Sequence, residues 1–411
     1  MKKKFLFFGV FTASCFFGFG QNPAAIYPKK KIAKSDIQLI YSHYIQNGNH
    51  SAVTGGVGTE KLQVYGPEII FKREVDSLNS YSIDAGVDVV SSASTDNIDF
   101  ILSSASKVDL HSYLSLGYDR HLKKNKNIII GGSGYASLES DYLSLGAILT
   151  TNIKSRDQSR EFSAELESYF DDLRWGRLKR NEPLGLVYPV ELRYKEWFNH
   201  YRRNTINLNL SFQQTINNKN LLAFFPGFTY QSGLLSTPFQ RVYFKNNEER
   251  VENLPDKRIE IPLGVQLNSF VGQKTILRNY YRFYWDDFGI IAHTFNIEVA
   301  IRLSTGFTLT PMLRIYTQKG SSFFKPYHEH DSLQTFYTSD YDLSSFQSFE
   351  PGLETRFAFI GKGSEPRYVS LRYNFYKRSD GLHAHILTLS AEFISEKKRN
   401  HRLVTEITRK K

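Results

Sequence analysis

The chain has 411 residues, 15% of them aromatic, a single cysteine and a formal net charge of +11. The abundance of Tyr and Phe argues against disorder, and one Cys excludes a disulfide framework or a cysteine-rich zinc module. A mean hydropathy of −0.39 excludes a bundle of membrane helices. It leaves open a membrane barrel, whose strands are apolar on one face only.

The first twenty residues have the pattern of an export signal. Lys2 to Lys4 provide a positive start, Phe5 to Phe19 form an apolar run, and Gly20 offers a small residue for cleavage. We therefore predict a cleaved secretory signal peptide over residues 1–20. The alternative is a lipoprotein signal acylated at Cys15, although the apolar run continues past that residue. Cleavage near Gly20 would leave a mature chain without cysteine.

The positive charge is concentrated at the two ends of the chain. Four lysines lie within 29–34, and Glu396–Lys411 holds seven Lys or Arg against two Glu. The body from Ser35 to Ser395 is nearly neutral, with 38 basic and 39 acidic residues. A nucleic-acid-binding protein would carry its charge on the folded body, so we expect no nucleic-acid partner. Residues 21–35 and 396–411 are predicted to be basic segments in the periplasm.

Strict alternation of apolar and polar residues runs through the body. In Tyr81–Val89 one face is Tyr, Ile, Ala, Val and Val, and Thr205–Gln213 and Ile386–Phe393 follow the same pattern. This period of two is typical of strands with one apolar face. The pattern predicts sixteen strands, within about two, near 36–46, 59–73, 79–91, 107–122, 126–139, 141–153, 160–171, 201–215, 220–232, 257–270, 274–287, 290–303, 307–319, 350–361, 367–378 and 382–394.

Short polar turns alternate with longer loops between these strands. The longer connections fall at 47–58, 92–107, 172–200, 233–256 and 320–349. Short turns at one end and long loops at the other are typical of transmembrane antiparallel up-and-down β-barrels, with the turns in the periplasm and the loops outside. We therefore predict an all-β outer-membrane barrel over residues 36–395, surrounded by outer-membrane lipid. The alternative is an exported soluble all-β protein, whose strands would be shorter.

Three segments resemble a known family. DVVSSAS (Asp88–Ser94), GLLSTPFQRVYF (Gly233–Phe244) and FYTSDYDLSSF (Phe336–Phe346) are similar to patterns of an uncharacterised bacterial family, domain of unknown function 3570. The resemblance spans roughly Gln38–Phe393 and implies an outer-membrane β-barrel. Members often accompany exported flavin-transfer or thioredoxin-like proteins, which implies a link to a redox system. No activity is established for that family, so the resemblance implies the fold more than the function.

The family-like positions lie in two of the predicted long loops. This chain departs from the usual Tyr-Arg pair at Phe239 and Gln240, although Arg241 follows, and it has Asp342 where Arg is usual. The loop residues that match the family patterns are Ser236, Pro238, Arg241, Tyr337, Ser339 and Asp340. The resemblance marks these six as candidate functional residues.

Charged side chains on the polar faces carry the main functional hypothesis. If the apolar faces meet lipid, the polar faces line the lumen. The predicted lumen charges are Asp84, Asp88, Asp109, Glu165, Glu167, Arg278, Arg282, Arg302, Arg314, Arg356 and Arg372. In a ring of sixteen strands the acidic and basic groups would face each other, and such a field selects polar solutes.

We therefore predict a porin-like channel or conduit for small polar or charged solutes. The alternative is a closed barrel in which these charges pair with one another, because buried charges require partners. A closed barrel would act as the scaffold or anchor of an envelope complex, with the redox link that the family resemblance implies.

The loop 320–349 is the longest predicted connection. Its many aromatic residues argue against disorder, so we expect it to pack on another loop or to plug the barrel. It contains His328, Glu329, His330 and Asp331, which are residue types that bind zinc or copper. Their spacing matches no metal motif, so a solvated polar loop is the favoured interpretation and no cofactor is expected.

Catalysis and protein partners are the remaining alternatives. A barrel hydrolase would need Ser, His and a third group together at the lipid rim. His293, His383 and His385 lie near such a rim, but nothing in the sequence pairs them with a nucleophile, so no enzyme activity is expected. The basic tail after Ser395 could dock an acidic periplasmic or surface protein, or it could simply be solvated.

Overall fold

The computed structural model describes residues 34–92, 108–139, 143–173, 202–237, 240–359 and 367–396. The predicted signal peptide, the basic segment up to residue 33 and the basic tail beyond residue 396 lie outside these ranges. So do nearly all of the predicted loops 92–107 and 172–200 and the connection between the strands predicted at 126–139 and 141–153. Within the described residues no helix is both long enough and apolar enough to cross a membrane.

Sixteen antiparallel strands form one closed barrel. The ring closes where β1 (Lys34–Asn47) pairs with β18 (His383–Glu396) along their whole length. The other barrel strands are β2 (Leu62–Glu74), β3 (Asn79–Ser92), β4 (Val108–His121), β5 (Ile128–Leu138), β6 (Leu143–Lys154), β7 (Arg160–Asp172), β8 (Arg202–Thr215), β9 (Asn220–Gly233), β12 (Lys257–Val271), β13 (Thr275–Asp286), β14 (Ile291–Ser304), β15 (Phe307–Lys319), β16 (Phe346–Phe359) and β17 (Arg367–Arg378). The prediction of an up-and-down barrel of about sixteen strands is confirmed.

The strands are long because each one crosses an apolar layer. They run from 11 to 15 residues, which suits a tilted transmembrane strand. Large apolar side chains on alternate positions remain exposed on the outside of the ring, with Leu149 at 62%, Phe170 at 58% and Leu116 at 53%. Such a continuous apolar exterior is stable against lipid and unstable in water.

The connections differ between the two ends of the barrel. The short-turn end carries tight turns such as 75–78, where the Asp76 carboxylate accepts hydrogen bonds from the backbone N–H groups of Leu78 and Asn79 at 2.6 and 2.9 Å. These bonds lower the pKa of Asp76. The long-loop end carries the connections 48–61, 234–256 and 320–345. The predicted asymmetry of turns and loops therefore holds for the described connections.

Two details differ from the predicted elements. A small hairpin of β10 (Arg241–Tyr243) and β11 (Glu249–Val251) lies inside the predicted loop 233–256. Three residues per strand are too few to reveal a period of two. β16 begins at Phe346, four residues earlier than predicted, because apolar Phe346 faces inward there and the alternation is reversed.

Candidate functional site

An acidic wall lies on one half of the lumen. Its members occupy inward-facing positions on β2, β3 and β7 and are Glu68, Asp84, Asp88, Glu165 and Glu167. Asp88 Oδ2 lies 3.2 Å from His111 Nδ1. The side-chain amides of Asn207 and Asn209 donate to Glu167 at 2.8 and 3.4 Å. Among the described residues, no Lys or Arg lies within 4.0 Å of these five carboxylates.

Tyrosine rings lie beside the acidic wall. Tyr113, Tyr135 and Tyr169 form a ladder with ring centroids 6.4 and 5.6 Å apart. Gly86 is paired with Tyr113, and Gly146 with Tyr169, in the sheet register. A Cβ atom at these glycines would lie 2.5 and 2.7 Å from the tyrosine rings, so each ring lies over its partner glycine. The rings therefore run along the wall instead of across the lumen.

An arginine wall lies on the other half, on β13 to β17. Four of the predicted lumen arginines each face a glutamate carboxylate. The pairs, with their N···O distances, are Arg278–Glu298 at 3.2 Å, Arg314–Glu350 at 3.7 Å and Arg356–Glu392 at 2.9 Å, together with Arg372–Glu354. Sequence reasoning named these arginines and missed the glutamates. The available signal was alternation, which places Glu298 on the polar face of its strand, whereas its position directly opposite Arg278 follows only from the register.

The other predicted lumen charges have different surroundings. The Arg282 guanidinium lies 5.6 Å from the centroid of the Tyr284 ring. Arg302 is exposed near the short-turn end, where its backbone N–H donates a hydrogen bond to the backbone carbonyl of Lys274. The side chain of Asp109 lies outside the described residues.

The two walls differ in net charge. The acidic wall lies within β2 to β7 and the arginine wall within β13 to β17, on different arcs of the ring. Four arginines are matched by carboxylates at short range, whereas the acidic wall has amides, phenols, an imidazole and its own carboxyl groups beside it. Glu68 lies within hydrogen-bond reach of Asp84, and Glu165 of Glu167. Because its carboxyl groups have no Lys or Arg partner among the described residues, the acidic wall is the more negative of the two walls.

Part of the loop 320–345 is held against the inner wall at the barrel mouth. Arg378 of β17 is 5% exposed and donates to the Asp342 and Asp380 carboxylates at 2.5 Å and to the Tyr341 carbonyl at 2.7 Å. The guanidinium also lies 3.9 Å from the Phe346 ring centroid. These contacts anchor residues 341–344 to the mouth. They agree with the expectation that this loop is packed against the rest of the protein.

A second anchor for the same segment comes from β15. The Gln318 side-chain amide donates to the carbonyls of Asp342 and Ser344 at 3.0 and 2.7 Å. His50, from the loop 48–61, stacks on Tyr341 with ring centroids 3.8 Å apart. Two loops therefore converge at the mouth on the β15–β18 side.

The long loops share a small buried core, which we call the loop cluster. Val242 and Phe244 of the hairpin pack against Tyr337, and all three are buried. Asn253 and Tyr337 exchange two backbone hydrogen bonds of 3.1 and 2.8 Å. Glu252 is 2% exposed and accepts from the Thr338 hydroxyl at 2.6 Å. The loops 234–256 and 320–345 thus fold as one unit.

The family-like residues meet in this loop cluster. The Ser236 hydroxyl accepts from the Leu254 N–H at 2.7 Å, and Arg241 lies 3.0 Å from Glu249. Asp340 accepts from the Gln240 side chain at 2.9 Å, which joins the two family-like segments. The remaining members are Tyr337 in the buried core, Ser339 donating to the Lys325 carbonyl, and Pro238, which lies outside the described residues.

The four weak metal candidates are not brought together. His328 Nδ1 lies 2.9 Å from the Phe244 carbonyl oxygen. Both ring nitrogens of buried His330 face protein acceptors, the Gln334 side chain and the Thr338 carbonyl, and burial lowers its pKa. Glu329 and Asp331 are exposed. In the described part of the chain, no three His, Cys, Asp or Glu side chains are grouped so that they could hold a metal.

The rim histidines pair with tyrosines on the outer face. The Tyr281 hydroxyl lies 2.8 Å from His293 Nδ1, and the Tyr373 hydroxyl lies 2.8 Å from His385 Nδ1. His383 lies beside His385, with ring centroids 6.5 Å apart. These contacts are those of interfacial side chains with one apolar and one polar end.

A closed antiparallel barrel with a polar lumen and an apolar exterior is the architecture of outer-membrane barrels. The chain belongs to the family described as Protein of unknown function (DUF3570), whose model matches residues 103–386. This confirms the family resemblance of the sequence segments. No curated protein matches the sequence.

Several solved barrels are similar in fold. A bacterial polysaccharide outer membrane secretin is 9% identical with a TM-score of 0.44, and the match covers 88% of this chain and 98% of that one. Pseudomonas aeruginosa OpdK with vanillate is 9% identical with a TM-score of 0.42, covering 89% and 99%. A BenF-like porin from Pseudomonas fluorescens Pf-5 is 9% identical with a TM-score of 0.41, covering 88% and 99%. At this identity the similarity is limited to the fold.

Proposed function

We propose that this protein is a porin-like channel that conducts small polar solutes and favours cations over anions. The observation that carries the proposal is a closed wall of sixteen strands with polar, charged inward positions. Barrels of this size leave an aqueous channel. With a strand spacing of about 4.8 Å and a tilt of about 40°, such a ring is roughly 30 Å across between backbones, which leaves room for solutes between the side chains.

The preference for cations rests on the difference between the two walls. A unit charge at about 8 Å in water contributes about 0.5 kcal/mol, which is roughly a twofold change in local ion concentration. The ionised carboxylates of the acidic wall act together on a passing ion, and the neighbouring pairs Glu68–Asp84 and Glu165–Glu167 share protons, which reduces their number. The charges of the four arginine–glutamate pairs largely cancel. The effect weakens as salt shortens the screening length.

In this proposal, the anchored segment 341–344 of the loop 320–345 sets the upper limit on solute size. Residues 341–344 are held against the inner wall by Arg378 and Gln318, and they narrow the mouth on the side of β15 to β18. Small hydrophilic solutes would pass beside them, and large ones would be excluded.

Swelling of proteoliposomes tests this proposal. Purified mature protein is inserted into vesicles, and swelling is recorded in a series of uncharged sugars of rising size. We expect rapid swelling with small sugars and a cut-off as their size rises. If the protein inserts and shows heat-modifiable mobility but the vesicles swell with none of the sugars, the channel is contradicted.

A second candidate function is that of a scaffold. The loop cluster has its own buried core and is joined to the barrel wall, which supports a surface for a protein partner on the long-loop end. On the other end, the basic tail after Ser395 would dock an acidic periplasmic protein, with the redox association that the family implies. A pull-down that loses its partner on truncation after Ser395 would support docking, and an unaltered set of partners would count against it.

Export belongs to the same proposal. Residues 1–20 would be removed near Gly20, and the barrel would then insert into the outer membrane with both basic ends in the periplasm. N-terminal sequencing of the mature protein tests this, with a start at Gln21 expected and an acylated Cys15 as the contrary result. The proposal assigns no catalytic residue and no cofactor.

A further inference from the structure

Charge is sorted by face on the barrel strands. Outward positions of the described strands carry eight exposed Lys or Arg, all close to a strand end. At the short-turn end these are Arg73, Arg120, Arg160 and Arg367, and at the long-loop end they are Arg202, Lys257, Lys319 and Lys377. In the described strands the one outward acidic residue is Asp172, which lies opposite Arg202 in the register. The lipid-facing rims are therefore basic, although the lumen is rich in carboxylates.

One sector of the long-loop rim carries two of these residues, Lys319 and Lys377, and, unlike Arg202, neither lies opposite an acidic residue in the register. Lys319 ends β15, and Lys377 lies one residue from the end of β17. Lys377 is paired with His383 of β18, and His385 follows at the next outward position. Among the described residues neither lysine has an acidic partner within 4.0 Å. Exposed lysines without partners on a lipid-facing rim are available to headgroups.

The spacing of the two lysines suits a headgroup with two separated anionic groups. Lys377 of β17 is paired with Phe349 of β16, and Phe349 is paired in turn with Ile315 of β15. Ile315 is four residues from Lys319 along β15. Two strand spacings of about 4.8 Å and four residues of about 3.3 Å place the lysine Cα atoms roughly 16 Å apart. Flexible lysine side chains can close part of that distance from both sides.

Aromatic residues mark this sector as the lipid interface. Tyr373 lies on an outward position four residues below Lys377 and is 44% exposed, and Phe349, level with Lys377 and below Lys319, is 49% exposed. The hydrogen bond between Tyr373 and His385 fixes the His385 ring, and the His383 ring lies beside it, with ring centroids 6.5 Å apart, one outward position nearer the strand end. Acyl chains would pack on the rings below, and the charged headgroup would lie at the level of the lysine ammonium groups.

We propose that the sector formed by Lys319, Lys377 and His383 binds the headgroup of a glycolipid that carries two phosphates, in the leaflet at the long-loop end. Each lysine ammonium binds one phosphate, and the neutral or protonated imidazole donates a further hydrogen bond. This interaction is independent of whether the lumen conducts.

Lipid titration followed by native mass spectrometry tests the proposal with the full mature chain in neutral detergent. The probes are diphosphoryl lipid A, monophosphoryl lipid A and phosphatidylglycerol. Wild-type protein is expected to retain the diphosphoryl form most tightly. Equal retention of phosphatidylglycerol or of the monophosphoryl form would overturn the proposal without any variant.

The matched variants sharpen the test. Lys319→Gln/Lys377→Gln is expected to weaken retention of diphosphoryl lipid A roughly thirtyfold, about fivefold for each lysine. Arg73→Gln/Arg367→Gln removes two outward charges at the other end and is expected to leave that retention unchanged. Heat-modifiable mobility checks that both variants fold. Equal retention by the two variants would overturn the assignment to this sector.

Discussion

The acidic wall and the arginine wall face the same lumen but are organised differently. On the arginine wall, Arg278 and Arg356 lie within 3.2 Å of the carboxylates of Glu298 and Glu392. On the acidic wall, Glu167 accepts hydrogen bonds from the side-chain amides of Asn207 and Asn209 at 2.8 and 3.4 Å. Four arginines of one wall are matched by glutamates, whereas the carboxylates of the other wall have no Lys or Arg partner among the described residues. In the proposed channel, the first wall serves structure and the second is available to solutes.

The loop attachment follows the same division. Residues 341–344 are anchored by Arg378 and Gln318, both on the β15–β18 side. The acidic wall lies beyond this covered part of the mouth. Substitutions on each side are expected to affect conductance, stability and ion selectivity differently, because one side is paired and covered and the carboxylates of the other face no Lys or Arg among the described residues.

The largest effect is expected from Arg378→Ala. Breaking a buried ion pair by removing one partner costs about 3–5 kcal/mol, because the Asp342 and Asp380 carboxylates lose their common cation. The segment 341–344 should leave the wall, so single-channel conductance and cleavage of the loop 320–345 by protease should both rise. Arg367→Ala, exposed at the other end of β17, is the control. Unchanged conductance and proteolysis in Arg378→Ala would contradict the anchoring role.

The tyrosine ladder is tested by Gly146→Ala. A Cβ atom there would lie 2.7 Å from the Tyr169 ring, and overpacking of this kind costs about 1–3 kcal/mol. We expect a lower temperature for the loss of heat-modifiable mobility. The control is Gly134→Ala, where nothing lies within 4 Å of the added atom. Equal stability of the two variants would show that the ring does not lie over Gly146.

Neutralising the acidic wall is expected to reduce ion selectivity. In Glu68→Gln/Asp84→Asn/Asp88→Asn, the cation-to-anion permeability ratio should fall roughly tenfold at low salt, from about twofold per carboxylate. The reversal potential in a salt gradient measures this ratio. Glu329→Gln, an exposed loop carboxylate, should change nothing. An unaltered reversal potential in the triple variant would show that these carboxylates do not set the ion selectivity.

A smaller and opposite change is expected on the arginine wall. Arg278→Gln frees the Glu298 carboxylate, so the preference for cations should rise by about twofold. The double variant Arg278→Gln/Glu298→Gln should restore the wild-type ratio, with a stability cost of at most about 1 kcal/mol for a partly exposed pair. A loss of cation preference in the single variant would mean that Arg278 is not neutralised by its partner.

The smallest effect concerns pH and the loop cluster. Burial lowers the pKa of His330, so the unfolded loop binds more protons than the folded one once the pH falls below about 6.5. The loop cluster should therefore lose stability as the pH falls below that value and keep it above. Proteolysis of the loop at pH 7.5 and pH 5 measures this. His330→Gln should reduce the difference in proteolysis between the two pH values. A loop that resists protease better at pH 5 than at pH 7.5 would contradict the predicted direction of the pH dependence.

The barrel could be predicted from sequence because each strand carries its own signal. Alternation located all sixteen strands, with most boundaries within about three residues, since one face must meet lipid. The hairpin at 241–251 was missed because its stability comes from distant contacts, such as the backbone bonds between Asn253 and Tyr337. Local pattern carries no information on such pairings.

The candidate site was predictable only in part. The lumen arginines followed from alternation, but their role depends on the register that places Glu354 opposite Arg372. The Gly146–Tyr169 contact also depends on register. The convergence of Ser236 and Asp340 on one loop cluster required the three-dimensional fold, because about a hundred residues separate them in the chain.

The most direct test of the account is the reversal potential of the wild-type protein in a planar bilayer under a KCl gradient. The account predicts steady conductance steps and a reversal potential with the sign expected for cation flow. The magnitude of that potential should shrink as the total salt concentration rises. Steps with a reversal potential of the opposite sign would contradict the role of the acidic wall. Absence of any steps from correctly inserted protein would contradict the open channel itself.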